Sequence, residues 1–216
     1  MAFDVSPPRD CPLCPRLAGF RADNRARFPE FANAPVESFG DPQARLLIVG
    51  LAPGLKGANR TGRPFTGDYA GDLLYATLGE LGLARGTYDR RPEDGLKLEG
   101  CAIVNAVRCV PPENKPTPAE ITKCRAFLRQ TLDSLPQLRT LVALGRIAHE
   151  SVLRAYRARV AAHPFAHGAD HSLGQGAPKL FDSYHCSRYN TNTGVLTPKM
   201  FREVLRAARD WAFAED

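Results

Sequence analysis

The sequence contains no hydrophobic run long enough to cross a bilayer, and its amino-terminal residues contain no apolar signal-peptide core. It also contains no internal repeat and no low-complexity tract. These absences argue against membrane-spanning, secreted and repeat proteins. We therefore expect a cytoplasmic protein that has no membrane partner, and we expect it to be a monomer.

Acidic residues are in the minority, with 23 Asp and Glu against 29 Lys and Arg in 216 residues, which gives a net charge of +6. The basic excess lies between Arg45 and Leu196, because the segments on either side are close to neutral. A basic excess suits a phosphate-rich partner such as nucleic acid. An arginine-rich solvated surface explains the same charge equally well, so charge alone decides neither.

Four short apolar runs have the length and composition of buried strands. They cover residues 46–49, 101–107, 138–144 and 179–184. Apolar residues at helical spacing fill the intervals, and a capping box at Thr117-Pro118-Ala119-Glu120 opens one of these helices. The alternation predicts an α/β fold, with a central, mostly parallel four-stranded sheet flanked by helices on both faces. Residues 1–216 are expected to form a single domain, in which residues 1–44 are an irregular segment around the core.

The carboxyl ends of the predicted strands carry residues suited to chemistry. Gly50, Gly145 and His185 each follow an apolar run, and Asn105 lies near the end of another. A polar Asn in an apolar strand is unusual, because a buried amide needs hydrogen-bond partners. Ligands of parallel sheets bind beyond the carboxyl ends of the strands, so we expect the site at this edge.

Six cysteines are present, and in a cytoplasmic protein they serve more often as ligands or core residues than as disulfides. Four of them are candidate metal ligands: Cys11 and Cys14, which have the spacing of a metal-binding knuckle, and Cys109 and Cys124. Four thiolates can hold a tetrahedral zinc ion or a [4Fe–4S] cluster, and the spacing leaves both open. Cys101 and Cys186 are expected to be core residues.

Three segments combine with this cysteine pattern. They are Gly50-Leu51-Ala52-Pro53-Gly54 with the following Gly62-Arg63-Pro64-Phe65-Thr66-Gly67-Asp68, then Asn105-Ala106-Val107-Arg108-Cys109-Val110-Pro111-Pro112, and finally His185-Cys186-Ser187-Arg188-Tyr189-Asn190. Taken in this order, they resemble the iron–sulfur uracil-DNA glycosylases, and most closely the family-5 class. The resemblance extends from Cys11 to about Gly194.

The resemblance implies a fold, an activity and a cofactor. The family has a parallel sheet flanked by helices and hydrolyses the N-glycosidic bond of a base extruded from DNA, which leaves an abasic site. It implies a DNA-repair enzyme of the bacterial or archaeal cytosol, associated with the nucleoid, whose partner is damaged DNA. Uracil, and also hypoxanthine and xanthine, are the implied substrates. A structural [4Fe–4S] cluster on Cys11, Cys14, Cys109 and Cys124 would tie residues 1–44 to the core.

Base recognition is expected in the first two segments. Phe65, which lies between glycines, is the predicted platform on which an extruded base stacks. Asn105 can both accept from and donate to the edge of uracil. Backbone groups of Gly50, Leu51 and Ala52 are expected to line the same pocket.

Catalysis needs a group for the departing base and a group for the attacking water. His185 is placed to donate a hydrogen bond to the uracil carbonyl that gains charge. A carboxylate must orient the water and stabilise the cationic sugar. The nearest related class has Glu where this chain has Leu51, so the family-5 resemblance implies Asp68 instead, and Asp72 is expected to be a helix N-terminal acid. The predicted catalytic residues are therefore Asp68, Asn105 and His185.

The third segment is expected to contact DNA. Ser187, Arg188 and Tyr189 would form a loop that enters the minor groove, where a side chain fills the gap left by the flipped base, and Asn190 is also expected to bind DNA. Arg63 and Arg188 are expected to contact phosphates, which would make binding salt-dependent.

Two other functions compete with this interpretation. A non-catalytic, zinc-bearing nucleic-acid-binding module explains the cysteines and the charge but gives Phe65, Asn105 and His185 no role. A related protein that traps the abasic sugar covalently through its histidine has a basic insertion after the first segment, and Gly57-Ala58-Asn59-Arg60 does not resemble it. Residues 161–178 contain three histidines, but their Gly, Ala and Pro content predicts a mobile loop rather than a metal site.

Overall fold

The structure is a computed structural model that describes residues 5–214. In chain order its strands are β1 (Phe39–Gly40), β2 (Leu46–Gly50), β3 (Ala84–Arg85), β4 (Lys97–Leu98), β5 (Cys101–Asn105), β6 (Thr140–Leu144), β7 (Asp170–His171) and β8 (Lys179–Ser183). Its helices are α1 (Pro15–Arg27), α2 (Ala58–Thr61), α3 (Tyr69–Glu80), α4 (Pro118–Asp133), α5 (Arg146–Ala155), α6 (Arg188–Asn192) and α7 (Pro198–Phe213). None of the helices in this range is both long and apolar enough to cross a membrane.

The larger sheet has the strand order β1-β5-β2-β6-β8-β7. Its four inner strands are parallel, which confirms the predicted parallel core. β1 and β7 pair antiparallel at the two edges, so the sheet has six strands and the predicted number of four is wrong. Strands of two residues carry no periodic pattern from which they could be predicted. β3 and β4 form a separate two-stranded sheet.

Two apolar layers cover the sheet, one on each face, because successive side chains of a strand point to opposite sides. On one face Ile48 and Ile103 pack with residues of α3 and α7, such as Leu74. On the other face Leu47 and Val104 pack with residues of α4 and α5. Every residue of β2, β5 and β6 is buried, as a parallel sheet covered on both faces requires.

The amino-terminal segment is not irregular throughout, because it contains α1. This helix begins at Pro15, where the missing N–H of proline costs nothing. Arg21 of α1 is buried, and its guanidinium donates to the backbone oxygen of Cys11 at 2.9 Å. Arg16, five residues earlier, pairs with Glu120 at the start of α4 at 2.7 Å. The helix was missed because its sequence is mostly polar, so it shows little apolar periodicity.

A buried cluster of imidazoles covers the outer edge of β8. His149 Nδ1 lies 2.7 Å from one oxygen of Asp182, and His171 Nε2 lies 2.9 Å from the other. The remaining nitrogen of His149 donates to the backbone oxygen of His163 at 2.9 Å. Neighbouring ligands of a tetrahedral zinc ion lie about 3.3 Å apart, so these shorter contacts are hydrogen bonds that already satisfy the carboxylate. The prediction of a mobile loop is wrong where β7 pairs with β8.

Candidate active site

The carboxyl ends of the parallel strands meet at one edge of the sheet. β2 and β5 pair in register, which places Gly50 opposite Asn105. His185 lies two residues beyond β8 and next to Gly145, where a Cβ built on the glycine would be 3.6 Å from the His185 Cβ. A cleft of about 570 Å³ opens at this edge. It is lined by Leu51, Ala52, Gly54, Lys56, Gly67, Asp68, Tyr69, Ala70, Asn114, His185, Ser187 and Arg188.

Asp68 lies in this cleft as the N-cap residue of α3. Its side chain accepts a hydrogen bond from the N–H of Gly71 at 3.3 Å, as an N-cap carboxylate does. Burial raises the pKa of Asp68 above its ordinary value, although the backbone N–H groups of Gly71 and Ala70 oppose the rise. Asp72 lies in the first turn of the same helix and pairs with Arg90, so it is a helix N-terminal acid as expected.

His185 lies in the same cleft with its ring against Phe65, and the two ring centroids are 5.9 Å apart with planes inclined by 26°. Burial lowers the pKa of His185 to about 4, so the ring is neutral at physiological pH. Its Nδ1 has no hydrogen-bond partner within residues 5–214. The backbone oxygen of His185 accepts a hydrogen bond from Asn190 Nδ2 at 2.8 Å. The cleft therefore contains a neutral imidazole that can still form a hydrogen bond with a ligand.

Phe65 and Asn105 meet behind Gly50 instead of lining the cleft. A Cβ built on Gly50 would lie 2.4 Å from Asn105 Oδ1 and 2.7 Å from Phe65 Cζ, so only glycine leaves room for both side chains. Both residues are buried. Phe65 has a φ of 52°, a left-handed conformation that is strained for a bulky residue, and such strained residues cluster at active sites. The structure thus brings Phe65, Asn105 and His185 together at one strand edge.

The third segment forms a helix where a loop was expected. Ser187 is the N-cap of α6 and accepts from the N–H of Asn190 at 3.3 Å. Arg188 lines the cleft, and its guanidinium lies 5.4 Å from the ring centroid of Tyr69. Tyr189 is 73% exposed. Ser187 and Asn190 therefore have structural hydrogen bonds, while Arg188 and Tyr189 present their side chains to solvent.

Arg63 cannot contact phosphates, and this expectation is corrected. Its side chain is only 6% exposed, and its guanidinium binds Asp94 through two hydrogen bonds of 2.7 and 2.8 Å. The same group lies 4.9 Å from the ring centroid of Phe39. Burial alone would raise the pKa of Asp94. The hydrogen bonds and positive charge of Arg63 have the larger effect, and the pKa is lowered to about 2. Arg63 is therefore one half of a buried ion pair.

Six lining residues were not among the predicted site residues: Gly54, Lys56, Gly67, Tyr69, Ala70 and Asn114. Tyr69 directly follows Asp68, so its position next to a predicted catalytic residue was an available signal. Lys56 lies in a turn and Asn114 ends a short 3-10 helix far away in sequence, and Asn114 has a φ of 57°. Only the folded chain brings these two to the same cleft.

The four candidate ligands Cys11, Cys14, Cys109 and Cys124 line one small cavity. Arg21 Nη1 lies 3.5 Å from Cys109 Sγ, and the N–H of Arg108 lies 3.3 Å from Cys124 Sγ, so donors point at two of the sulfurs. Burial raises the pKa of Cys109 to about 12, and it also raises the pKa of Cys14 and Cys124. Without a cation these groups are neutral thiols.

The spacing of these sulfurs bears on the two metals that the sequence left open. Among the described residues, no three of the four sulfurs lie within 4.8 Å of one another. Sulfurs around a tetrahedral zinc ion lie about 3.8 Å apart, because each Zn–S bond is about 2.3 Å. In this structure the sulfurs are therefore not gathered as the ligands of one tetrahedral ion would be.

A family model of the uracil DNA glycosylase superfamily matches residues 37–209. The chain belongs to this superfamily. It is 49% identical over 204 residues to the type-5 uracil-DNA glycosylase of Thermus thermophilus, with 92% of both chains covered. It is 39% identical over 203 residues to the protein of that name from Pyrobaculum aerophilum, covering 92% of this chain and 88% of the relative.

A third relative, the type-5 uracil-DNA glycosylase of Mycobacterium bovis, is 40% identical over 213 residues, covering 95% of this chain and 79% of the relative. These matches confirm the resemblance to the family-5 class that the motifs indicated. The α/β fold with its mostly parallel sheet agrees with this membership of the superfamily.

Proposed function

We propose that this chain is a DNA repair enzyme that hydrolyses the N-glycosidic bond of uracil in DNA and leaves an abasic site. The observation that carries the proposal is the presence of a carboxylate, Asp68, and a neutral imidazole, His185, in one cleft at the strand ends. The type-5 relatives are named uracil-DNA glycosylases, which supports the same activity.

The base is extruded from the duplex before the bond breaks, at a cost of roughly a few kcal/mol. In our proposal the extruded base enters through the cleft, reaches the buried side chains of Phe65 and Asn105 behind Gly50, and stacks against Phe65. Asn105 binds the base edge, since its amide can pair with both the O4 and the N3–H of uracil. Backbone groups of Gly50, Leu51 and Ala52 border the base. The strained backbone at Phe65 supports its role in this pocket.

The bond then breaks with its electron pair leaving on the base. His185 donates a hydrogen bond to the carbonyl that gains negative charge, and its low pKa means that it does not transfer a proton. Asp68, when ionised, orients a water molecule toward the cationic sugar carbon. The water oxygen forms the new bond to carbon, the released proton goes to the Asp68 carboxylate, and solvent protonates the departed base.

DNA is held at the mouth of the cleft. Tyr189, the most exposed large apolar side chain of α6, would fill the gap left by the flipped base. Arg188 and Lys56 line the cleft and carry positive charge, so they would contact phosphates on either side of the lesion. Ser187 and Asn190 would act by shaping α6.

A [4Fe–4S] cluster on Cys11, Cys14, Cys109 and Cys124 is the second part of the proposal. The buried sulfurs, their wide spacing and the donors from Arg21 and Arg108 support it. When bound, the cluster would supply a structural cross-link between the amino-terminal segment, the chain after β5, and α4. No step of the reaction passes through it.

Substrate breadth is the third part. Leu51 stands where a related class has a carboxylate, and it lines the cleft. An apolar side chain there makes a looser polar fit, which would admit hypoxanthine and xanthine as well as uracil. Activity on uracil opposite guanine with none on hypoxanthine would contradict this part alone.

The test is incubation with duplexes that each contain one uracil, hypoxanthine or xanthine, followed by alkali, which cleaves the strand at abasic sites. Wild type should cleave the uracil duplex, whereas Asp68→Ala and His185→Ala should fail to do so while remaining brown. Asp72→Ala is the matched control, because it removes a carboxylate one turn away that pairs with Arg90.

Two outcomes would support the alternatives. A colourless, inactive wild-type protein that contains zinc would indicate a nucleic-acid-binding module. A protein–DNA adduct that survives denaturing electrophoresis would indicate covalent trapping of the sugar, whereas release of free enzyme excludes it.

A further inference from the structure

The free edge of β8 is covered by residues 167–171, which we call the strap. β7 lies within the strap and pairs with the first half of β8. The pairing continues where the N–H of Asp182 donates to the oxygen of Ala169, and the N–H of Gly168 donates to the oxygen of Asp182, both at 2.9 Å. The strap therefore runs along the strand that ends at His185.

The backbone pairing stops at Gly168, which has a φ of 80°. The N–H of Tyr184 points to the same edge as that of Asp182, because alternate residues of a strand share a side. The acceptor that it meets is an imidazole: His167 Nδ1 accepts this N–H at 3.1 Å. The two rings also stack, with centroids 5.0 Å apart. A side chain thus replaces the next carbonyl of the strap.

We propose that His167 is a positioning residue for His185; this rests on the proposed function, in which His185 contacts the base. Tyr184 directly precedes His185, and Asn190 Nδ2 holds the oxygen of His185 at 2.8 Å on the other side. His185 Nδ1 itself has no partner in residues 5–214. The ring is therefore placed by its backbone and by Phe65, and His167 fixes the amino-terminal side of that backbone.

The hydrogen bond requires a neutral His167, because Nδ1 accepts only while it carries a lone pair. Burial lowers the pKa of His167 and so favours this state. A hydrogen bond with the Met200 backbone and the charge of Glu203, both on α7, act in the opposite direction. Tyr184, directly after β8, is the titratable group that faces the ring from that strand's side.

Asn and Gln substitutions test this contact. The Oδ1 of Asn lies close to where His places Nδ1, whereas the amide of Gln lies closer to Nε2. His167→Asn should keep an acceptor for the Tyr184 N–H, and His167→Gln and His167→Ala should lose it. Single-turnover excision of uracil should fall roughly 10- to 100-fold in the Ala and Gln variants and remain close to wild type in the Asn variant. Affinity for the uracil duplex should stay unchanged in all three.

Deuterium exchange at the Tyr184 amide reports the contact independently of activity. It should accelerate in the Ala and Gln variants and stay slow in the Asn variant. Wild-type excision by His167→Ala, equal losses in the Asn and Gln variants, or a loss confined to DNA affinity would each overturn the proposal. Full activity in His185→Ala would instead contradict the proposed function, while the exchange rates would still test the contact.

Discussion

The Oδ2 atom of Asp68 lies against the Cα of Gly57, so closely that a Cβ built on Gly57 would be 2.2 Å from it. The same Cβ would be 2.8 Å from the Asp68 Cγ, which means that the whole carboxyl group would have to turn. The carboxyl also accepts the Gly71 N–H, so it cannot turn without losing its place at the start of α3. The proposed catalytic carboxylate can occupy this position only because Gly57 has no side chain.

We expect Gly57→Ala to reduce single-turnover excision of uracil roughly 10- to 100-fold, because the displaced carboxylate no longer orients the water. The matched control is Gly79→Ala near the end of α3, where a Cβ meets nothing within 4 Å. That control should keep the wild-type rate and gain about 0.5–1 kcal/mol in free energy of unfolding. Equal excision rates in the Gly57→Ala and Gly79→Ala variants would contradict the role assigned to Gly57.

Asp68→Asn should abolish excision without lowering stability at neutral pH. Burial raises the folded-state pKa of Asp68 above its unfolded value. A carboxyl group of this kind contributes stability that is complete below the unfolded pKa and is lost as the pH rises through the folded pKa. Asn does not ionise and still caps a helix, so the free energy of unfolding of the variant at pH 7 should equal or exceed that of wild type.

Urea denaturation at neutral and acid pH measures this difference, which should vanish at acid pH where wild-type Asp68 is protonated. Wild-type excision should also decline as the pH falls through the raised pKa, because the protonated acid cannot accept a proton from water. A variant that unfolds more readily than wild type at neutral pH would contradict the assignment of a raised pKa.

Arg63→Met should destabilise the protein by about 3–5 kcal/mol, because it leaves Asp94 buried without its partner. Urea denaturation measures this loss. At low temperature, where the variant is folded, its affinity for undamaged duplex should match that of wild type.

Arg188→Ala is the contrasting control, since this arginine is exposed in the cleft mouth and has no carboxylate partner among the described residues. It should leave the free energy of unfolding unchanged and weaken DNA binding. The slope of log K for DNA binding against log salt concentration should become less negative by about 0.9. If Arg63→Met bound DNA more weakly at unchanged stability, Arg63 would contact phosphate after all, and its assignment to a buried ion pair would be wrong.

Cys109→Ala should lose the brown colour and the cooperative unfolding transition together, because the proposed cluster links separate parts of the chain. Cys101→Ala is the control: Cys101 is buried in β5, and its sulfur donates to the oxygen of Leu83 at 3.3 Å. It should keep blue absorbance and iron content. Iron analysis, absorbance and circular dichroism measure the three properties. A colourless Cys109→Ala protein with full activity would show that the site is dispensable.

The inner strands and the capped helices were predictable because their signals are local. Thr117 and Glu120 form the capping box that the sequence indicated, and α4 starts between them at Pro118. The apolar runs fixed the four inner strands to within two residues at each end. β1 and β7 were missed because two residues cannot establish an alternation, and they form only where an inner strand offers its edge.

The environment of a charged side chain was not predictable in the same way. Arg63 pairs with Asp94, which lies 31 residues away in sequence, and nothing in the local sequence around either residue indicates this ion pair. Likewise, the imidazole of His167 acts as a backbone acceptor only because the strap turns away at Gly168. Residue type and spacing indicated which side chains suit glycosylase chemistry, whereas burial and partners depended on the folded chain.

Asn105 stands on β5 and His185 follows β8, with β2 and β6 between them. Three steps of about 4.8 Å therefore separate the two backbones, and Phe65, which meets Asn105 behind Gly50 and packs against the His185 ring, is a neighbour of both residues. Under the proposed function, a substitution on β5 that alters the preferred base can leave the reaction at His185 unchanged as long as it does not move Phe65. Such a layout lets a repair enzyme change its lesion range in evolution without rebuilding its reaction centre.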